Sequence, residues 1–400
     1  MGDVNDLLAA FERGALLRPS REALNLVDLA RSVALWAGGE GVPSTPGVEK
    51  LAALVDPGRH LVLVLADGLG MNVLGLLPEG AFLPRHLVAS LRTVFPSTTA
   101  VALTSLATAQ WPAQHGVVGW WTHLPEIGAA AAILQFATRS DHRPLGELGI
   151  SPQQAFPAPS ALATLKHDAL SLFPERIAQG PYTDYFCGGR AVMGYHSLAE
   201  AVDIAVERVR KAEAPTFTYL YTPRIDDAAH TYGVARPELR AALADLDREV
   251  ERLAEGLAGK GRVALTADHG FLDAGEGRRH EIKAYDPLLA LLHHPPSGDA
   301  RVLYLHARSE AHAQIRGYFL HRFGPRFAVL TTEEAEALRL FGPERLSEAT
   351  RGRMGDLVAI SLGADALEYR AASGNGRVML EASQHSGLSP QEMLIPLVVV

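Results

Sequence analysis

A carboxylate and a cluster of hydroxyls follow two short apolar runs in the first quarter of the chain. Residues 61–66 (LVLVLA) are continuously aliphatic, with no polar alternation, as in a parallel strand covered on both faces. The run stops at Asp67, followed by Gly68 and Gly70. A carboxyl group therefore stands at the carboxyl end of a buried strand, where open α/β sheets build their sites. A second run, residues 91–95, leads into Pro96-Ser97-Thr98-Thr99 and then an apolar helical stretch. Those hydroxyls stand where a helix amino terminus holds an anion. Asp67 and Thr99 read as a metal ligand and a nucleophile of one hydrolytic site.

Three further candidates have the same placement. Asp226 and His230 are four residues apart, which on a helical turn puts both side chains on one face. Asp268 and His269 follow the strand-like RVALTA and precede Gly270, and at a strand end entering a glycine turn both can reach one ion. His385 follows an expected strand at 378–382. Carboxylate and imidazole donors without a thiolate suit zinc, manganese or iron better than a structural cysteine site. Any one such pair is more often a surface pair. What joins these is their shared position at the ends of hydrophobic runs, which is one edge of a parallel sheet.

The elements that must hold them follow an α/β alternation. Residues 4–36 read as two amphipathic helices, and with the link GGEGVPSTPG they make an N-terminal helical arm over 1–56. A core over 57–280 and 376–400 carries the strands at 61–66, 216–221 and 262–267 and helices at 98–109, 197–212 and 236–257. The irregular, aromatic stretch 117–196 contains a substrate-side insertion at about 120–196. An inserted cap subdomain over 281–375 carries strand-like RVLYLHA, FAVLTT and DLVAISL, and the chain closes on an apolar run at 394–400. Strand and helix in alternation give a mostly parallel sheet.

Bulk composition narrows the function classes. The chain has 400 residues, 48% hydrophobic and 20% charged, enough to fill a sizeable core. A balance of 37 basic against 45 acidic residues, net −8, argues against binding of duplex nucleic acid through bulk charge. The single cysteine, Cys187, excludes an intramolecular disulfide framework and reads as a packing residue. Residues 1–30 show no basic segment followed by an apolar one, and no apolar stretch is long enough to span a bilayer. No membrane association is expected, and a cytoplasmic location is the default. Nothing in the residues indicates an oligomeric state.

Taken in order, ADG, FPSTT, QHG, D-x-x-x-H, ADHG and H-x-G-L-S-P resemble the alkaline phosphatase superfamily, in its nucleotide pyrophosphatase/phosphodiesterase-like branch, from about residue 61 to 400. The resemblance implies a three-layer α/β/α fold with a mostly parallel central sheet and inserted subdomains. It also implies two divalent metal ions, zinc in the first instance and manganese as the alternative. One ion is then held by Asp226, His230 and His385, and the other by Asp67, Asp268 and His269, with Thr99 completing its coordination. Thr99 becomes the nucleophile, with Ser97 and Thr98 as fallbacks, and the substrate a phosphorylated small molecule, most often a phosphodiester. Backbone N–H groups after Thr99 would bind a phosphoryl oxygen.

Where nucleotide phosphodiesterases commonly carry an asparagine after the H-G motif, His115-Gly116 is followed here by Val-Val-Gly-Trp-Trp. Trp120 or Trp121 is expected to face the leaving group or to pack under the insertion. Arg224 is a candidate phosphate contact, whereas Asp227 and His280 read as surface groups. The sulfatase Cys/Ser-x-Pro-x-Arg and the phosphoglycerate mutase N-S-E-x-G-H settings are absent. The alternatives are a phosphonoacetate-hydrolase-like or phosphomonoesterase activity and, in another class, a non-catalytic metal-binding interaction protein.

Overall fold

A computed structural model describes residues 2–275, 277–370 and 382–400. The aliphatic run becomes the strand His60–Ala66, buried along its whole length. It lies at the centre of a seven-stranded sheet in the order Leu87–Arg92, Leu394–Val399, Arg262–Thr266, His60–Ala66, Thr216–Thr222, Asp168–Pro174, Ala191–Tyr195. His60–Ala66 pairs in parallel with Thr216–Thr222 and Arg262–Thr266. The closing strand Leu394–Val399 runs against its two neighbours. Helices Leu26–Trp36 and Thr99–Thr108 pack where Leu63, Phe217 and Tyr219 face them. Leu198–Lys211 and Pro237–Leu257 pack on each other and on Thr216–Thr222 and Arg262–Thr266 respectively. The expected three-layer α/β/α architecture with a mostly parallel sheet is what forms.

The register explains the site. Ala66 lies opposite Thr222, and Leu65 opposite Thr266, so three adjacent central strands end level with one another. The next residues of each strand emerge at one edge. Gly68 makes the first turn there with φ +76°, and a Cβ on it would sit 2.3 Å from the Phe271 ring. Only glycine meets both demands.

No strand is expected between residues 117 and 196, yet Asp168–Pro174 and Ala191–Tyr195 extend the main sheet in parallel pairing. The first buries only the stretch from Ala169 to Phe173 between an exposed aspartate and a proline, and the second is an edge strand with alternating exposure. The expected strand 378–382 lies, up to residue 381, outside the described residues.

A second seven-stranded sheet joins strands from two distant parts of the chain. Its order is Phe327–Thr331, Leu357–Ser361, Val302–Leu305, Ser297–Asp299, Trp121–Leu124, Ala129–Ala132, Ala137–Thr138. One face buries Tyr304, Leu330 and Ile360 with Leu7 and Ala10 of the first helix, Gly2–Glu12. The other buries Leu303, Leu305 and Val329 with Ile315 and Phe319 of helix His312–Phe323. No described helix is long and apolar enough to cross a membrane.

The sheets meet at a fully buried ion pair. Arg301 Nε lies 2.5 Å from Glu392 Oε1, both side chains without exposure. Glu392 also accepts the Gly387 N–H at 2.8 Å and the Ser389 hydroxyl at 2.6 Å, which shapes the loop that carries His385. Removing one partner strands a charge in the interior. Glu392→Ala should therefore lower the unfolding free energy by about 3–5 kcal/mol in a urea titration; a variant as stable as the parent would show that the pair merely fills space.

Candidate active site

Six of the seven expected site residues emerge from the main sheet edge, and His385 reaches them from elsewhere. Asp67 follows its strand directly and is held by its own N–H to the Thr222 carbonyl at 3.0 Å. Asp226 and His230 lie on the short helix Arg224–Tyr232 that follows Thr216–Thr222. Asp268 and His269 follow Arg262–Thr266. Thr99 opens the helix Thr99–Thr108. His385 follows not a strand of the main sheet but the two-residue strand Ser383–Gln384, paired with Leu272–Asp273.

His269 sits at the middle of the cluster. Its Nε2 lies 3.2 Å from Thr99 Oγ1, 3.4 Å from Asp67 Oδ1, 3.4 Å from Asp268 Oδ2 and 4.0 Å from Asp226 Oδ1. Its other nitrogen, Nδ1, lies 3.2 Å from the Gly270 carbonyl. A carbonyl partner assigns the proton to Nδ1 and leaves a lone pair on Nε2. The same holds for His230, whose Nδ1 faces the Ser383 carbonyl, and for His385, whose Nδ1 faces the Ser97 carbonyl, each at 3.1 Å. Their Nε2 atoms then face each other at 3.2 Å, with Asp226 Oδ1 3.3 Å from that of His230. The rings of His269 and His385 stack at 3.8 Å.

This donor set calls for positive charge. Asp67 Oδ1, Asp226 Oδ1 and Asp268 Oδ2 are buried and have no hydrogen-bond donor among the described residues. Burial, with Asp268 and Asp226 beside it, pushes the Asp67 carboxyl well above the usual carboxylate range. Burial raises Asp226 as well, but His230 and His269 outweigh it and its net direction is down. Burial and the two neighbouring imidazoles hold His385 well below the usual histidine range, so its ring is neutral. Imidazole Nε2 atoms turned inward and carboxylate oxygens that lack a donor are the donor set a divalent cation takes. Two groups meet that geometry, with ligand atoms within 4.8 Å of one another: Asp226, His230 and His385, and Asp67, Asp226 and His269. Asp226 thus stands at the junction of both.

Around this centre are supports that sequence reasoning did not identify. The Tyr221 hydroxyl donates to Asp67 Oδ2 at 2.5 Å, from the last turn of its strand toward the edge. Asp268 Oδ1 accepts the N–H groups of Gly68 and His269, each at 3.0 Å. His115 of the QHG motif is structural: its Nε2 meets the Ser105 hydroxyl at 2.9 Å and its Nδ1 accepts the Val117 N–H at 3.2 Å. Burial and Arg353 lower it to about 3, so it stays neutral and pins the loop to the Thr99 helix. Aromatic content at 219–221 suits a core strand, and nothing local marks Tyr221 as the partner of a carboxylate 154 residues away.

Several other candidates lie apart. Arg224 pairs with Asp245 at 2.5 Å, and Asp227 with Arg176 at 3.3 Å, both at the surface. His280 joins Asp365 at 2.8 Å. The Trp120 N–H donates to Asp299 Oδ2 at 3.1 Å, while Trp121 stacks under the Arg139 guanidinium at 4.7 Å.

The model of the family described as type I phosphodiesterase/nucleotide pyrophosphatase matches residues 61–145 and 146–373. The chain therefore belongs to that family, within the alkaline phosphatase superfamily, and is a hydrolase of phosphoric ester bonds. No curated protein matches it in sequence. Among solved structures it is similar to murine ectonucleotide pyrophosphatase/phosphodiesterase 5, with a TM-score of 0.62 and 17% identity over 84% of this chain and 87% of that one. The human counterpart gives 0.62 and 18% over 85% and 87%. Phosphonoacetate hydrolase from Sinorhizobium meliloti 1021, in complex with phosphonoformate, gives 0.62 and 18% over 86% and 90%.

Tyr221→Phe removes the hydroxyl that donates to Asp67 and keeps the ring. It should weaken retention of a bound divalent cation by about 10–100-fold, measured by dialysis against a chelator; unchanged retention would mean that Asp67 needs no such support.

Proposed function

We infer that the chain is a phosphodiesterase of the nucleotide pyrophosphatase type that uses Thr99 as its nucleophile and carries two divalent cations, zinc by donor type. The observation that carries this reading is the contact of Thr99 Oγ1, at the amino terminus of an all-buried helix, with the His269 nitrogen that also faces Asp67 and Asp268. Asp226, His230 and His385 would hold one ion. Asp67, Asp268 and His269, with Thr99, would hold the other. Such ions, when bound, supply Lewis-acid charge that favours the alkoxide and offsets charge on the transferring phosphoryl group.

The chain's own groups do the rest. Thr99 Oγ1 gives up its proton and forms the new bond to phosphorus as the bond to the leaving alkoxide breaks, which gives a phosphothreonyl ester; the alkoxide takes up a proton and leaves as the alcohol. Water then attacks that phosphorus, the bond to Thr99 Oγ1 breaks, and the hydroxyl is restored. The helix dipole and the first N–H groups of Thr99–Thr108 stabilise the phosphoryl oxygens in both steps. Burial of Thr99, His269 and Asp268 excludes bulk water from the reacting face.

The test is a paired assay on metal-loaded protein. Metal analysis should give about two zinc or manganese ions per chain. Thr99→Ala should abolish hydrolysis of bis-p-nitrophenyl phosphate, with metal content close to that of the parent. A fully active Thr99→Ala enzyme would overturn the nucleophile assignment. A rate on a phosphomonoester or on phosphonoacetate above that on the diester would replace the substrate class instead.

A further inference from the structure

Thr98 occupies the N-cap of the helix Thr99–Thr108 with φ −137° and ψ 148°. From that backbone a threonine ordinarily turns its hydroxyl back to accept the second or third N–H of its helix. Asn25, Thr45, Ser197 and Ser347 do so at theirs. Thr98 makes no such bond to the helix Thr99–Thr108. The Thr98 hydroxyl donates to Asp299 Oδ1 at 3.1 Å instead. Asp299 belongs to the second sheet and is fixed from its other oxygen by the Trp120 N–H at 3.1 Å. The loop passes so close that a Cβ on Gly119 would lie 2.7 Å from Asp299 Oδ2, which gives the glycine of Val117-Val118-Gly119-Trp120 a physical reason.

We propose that Asp299 is a positioning residue that holds the Thr98 hydroxyl off the helix amino terminus, so that the N–H groups beside Thr99 stay available to a phosphoryl oxygen of the substrate. The inference rests on the reading of Thr99 as the nucleophile at this helix end. The Val101 and Ala102 N–H groups reach the Thr98 carbonyl at 3.1 and 3.0 Å. Those two donors are therefore taken, and a returning hydroxyl would reach for the N–H of Ala100, the residue after Thr99. It would be an internal competitor for the donors that an anionic substrate oxygen needs. Asp299 removes that competitor by offering Thr98 a charged acceptor, which binds a hydroxyl proton more strongly than a neutral one. The second sheet thereby contributes to phosphate recognition without touching the phosphate.

The competition makes Thr98 and Asp299 dependent on each other, and that dependence is measurable. The holoenzyme carrying Thr98→Val, Asp299→Ala or both is compared with the parent in two readouts. One is inhibition of diester hydrolysis by inorganic phosphate, and the other is the phosphate-induced rise in thermal midpoint without substrate. Asp299→Ala should weaken phosphate about fivefold in the parent chain, the effect of one N-cap hydrogen bond of ordinary strength. It should weaken phosphate by less than about twofold when Thr98→Val is already present, because no hydroxyl is left to swing back. Equal losses in both backgrounds would overturn the proposal and leave Asp299 as a structural support. The same cycle with Asp299→Leu serves if the alanine variant does not fold. A parent enzyme that neither turns over diesters nor responds to phosphate would count against the Thr99 reading itself, which separates the two failures.

Discussion

Three carboxylates, Asp67, Asp226 and Asp268, share one edge of a buried sheet, and their mutual repulsion is the constraint on which the rest of the site depends. Ionised carboxylates in a dry interior cost several kcal/mol each unless they are hydrogen-bonded or paired. The protein meets half of that demand with its own groups. Tyr221 serves Asp67, and the Gly68 and His269 N–H groups serve Asp268. On each residue one oxygen is left bare, and the bare oxygens turn toward imidazole lone pairs. Such an arrangement is costly as a purely structural feature and economical as a socket for divalent cations. The parallel register enforces it, because strands that end level with one another cannot keep their terminal acids apart.

The second sheet is coupled to this edge at two points of different character. At Arg301 and Glu392 the coupling is structural: the buried pair's Glu392 ties down Gly387 and Ser389 of the loop that begins with His385. Asp299 couples through the hydroxyl of Thr98, beside Thr99, and through the backbone of Trp120. Neither contact reaches the bare carboxylate oxygens. The bare carboxylates thus belong to the main sheet edge, while the second sheet fixes the loops beside them.

How much of this was legible along the chain follows from the range of each interaction. Asp67 and Asp268 announce themselves because a fully buried strand has to be apolar throughout, and a charge that ends it is conspicuous. Asp226 and His230 announce themselves through helical spacing. His385 is legible only through the expected strand at 378–382; in the structure the strand before it is two residues long, and its position depends on Glu392 and on a carbonyl of Ser97 that is 288 residues away. The strand Asp168–Pro174 is hidden because its apolar centre is short and bounded by an aspartate and a proline. Tyr221 and Asp299 are hidden for a third reason. Their types suit a core strand and a turn, and only long-range pairing turns them into supports of the site.

The departure from the family pattern at Trp120 takes on a definite physical meaning in this light. A side chain that touches a phosphoryl oxygen contributes through its own polar atoms. Here the polar atom in use is the Trp120 backbone N–H, and it is already committed to Asp299. The stretch from Gly116 to Trp121 is therefore tied through Asp299 to the helix amino terminus, with His115 pinning its start to Ser105 and Trp121 its end to Arg139. On the proposed reading, recognition of the phosphoryl group falls to backbone donors, which contact phosphate oxygens without reading what the phosphate is attached to. The Trp121 ring of the second sheet is likewise committed, stacked under the Arg139 guanidinium, which also lies over the Tyr369 ring.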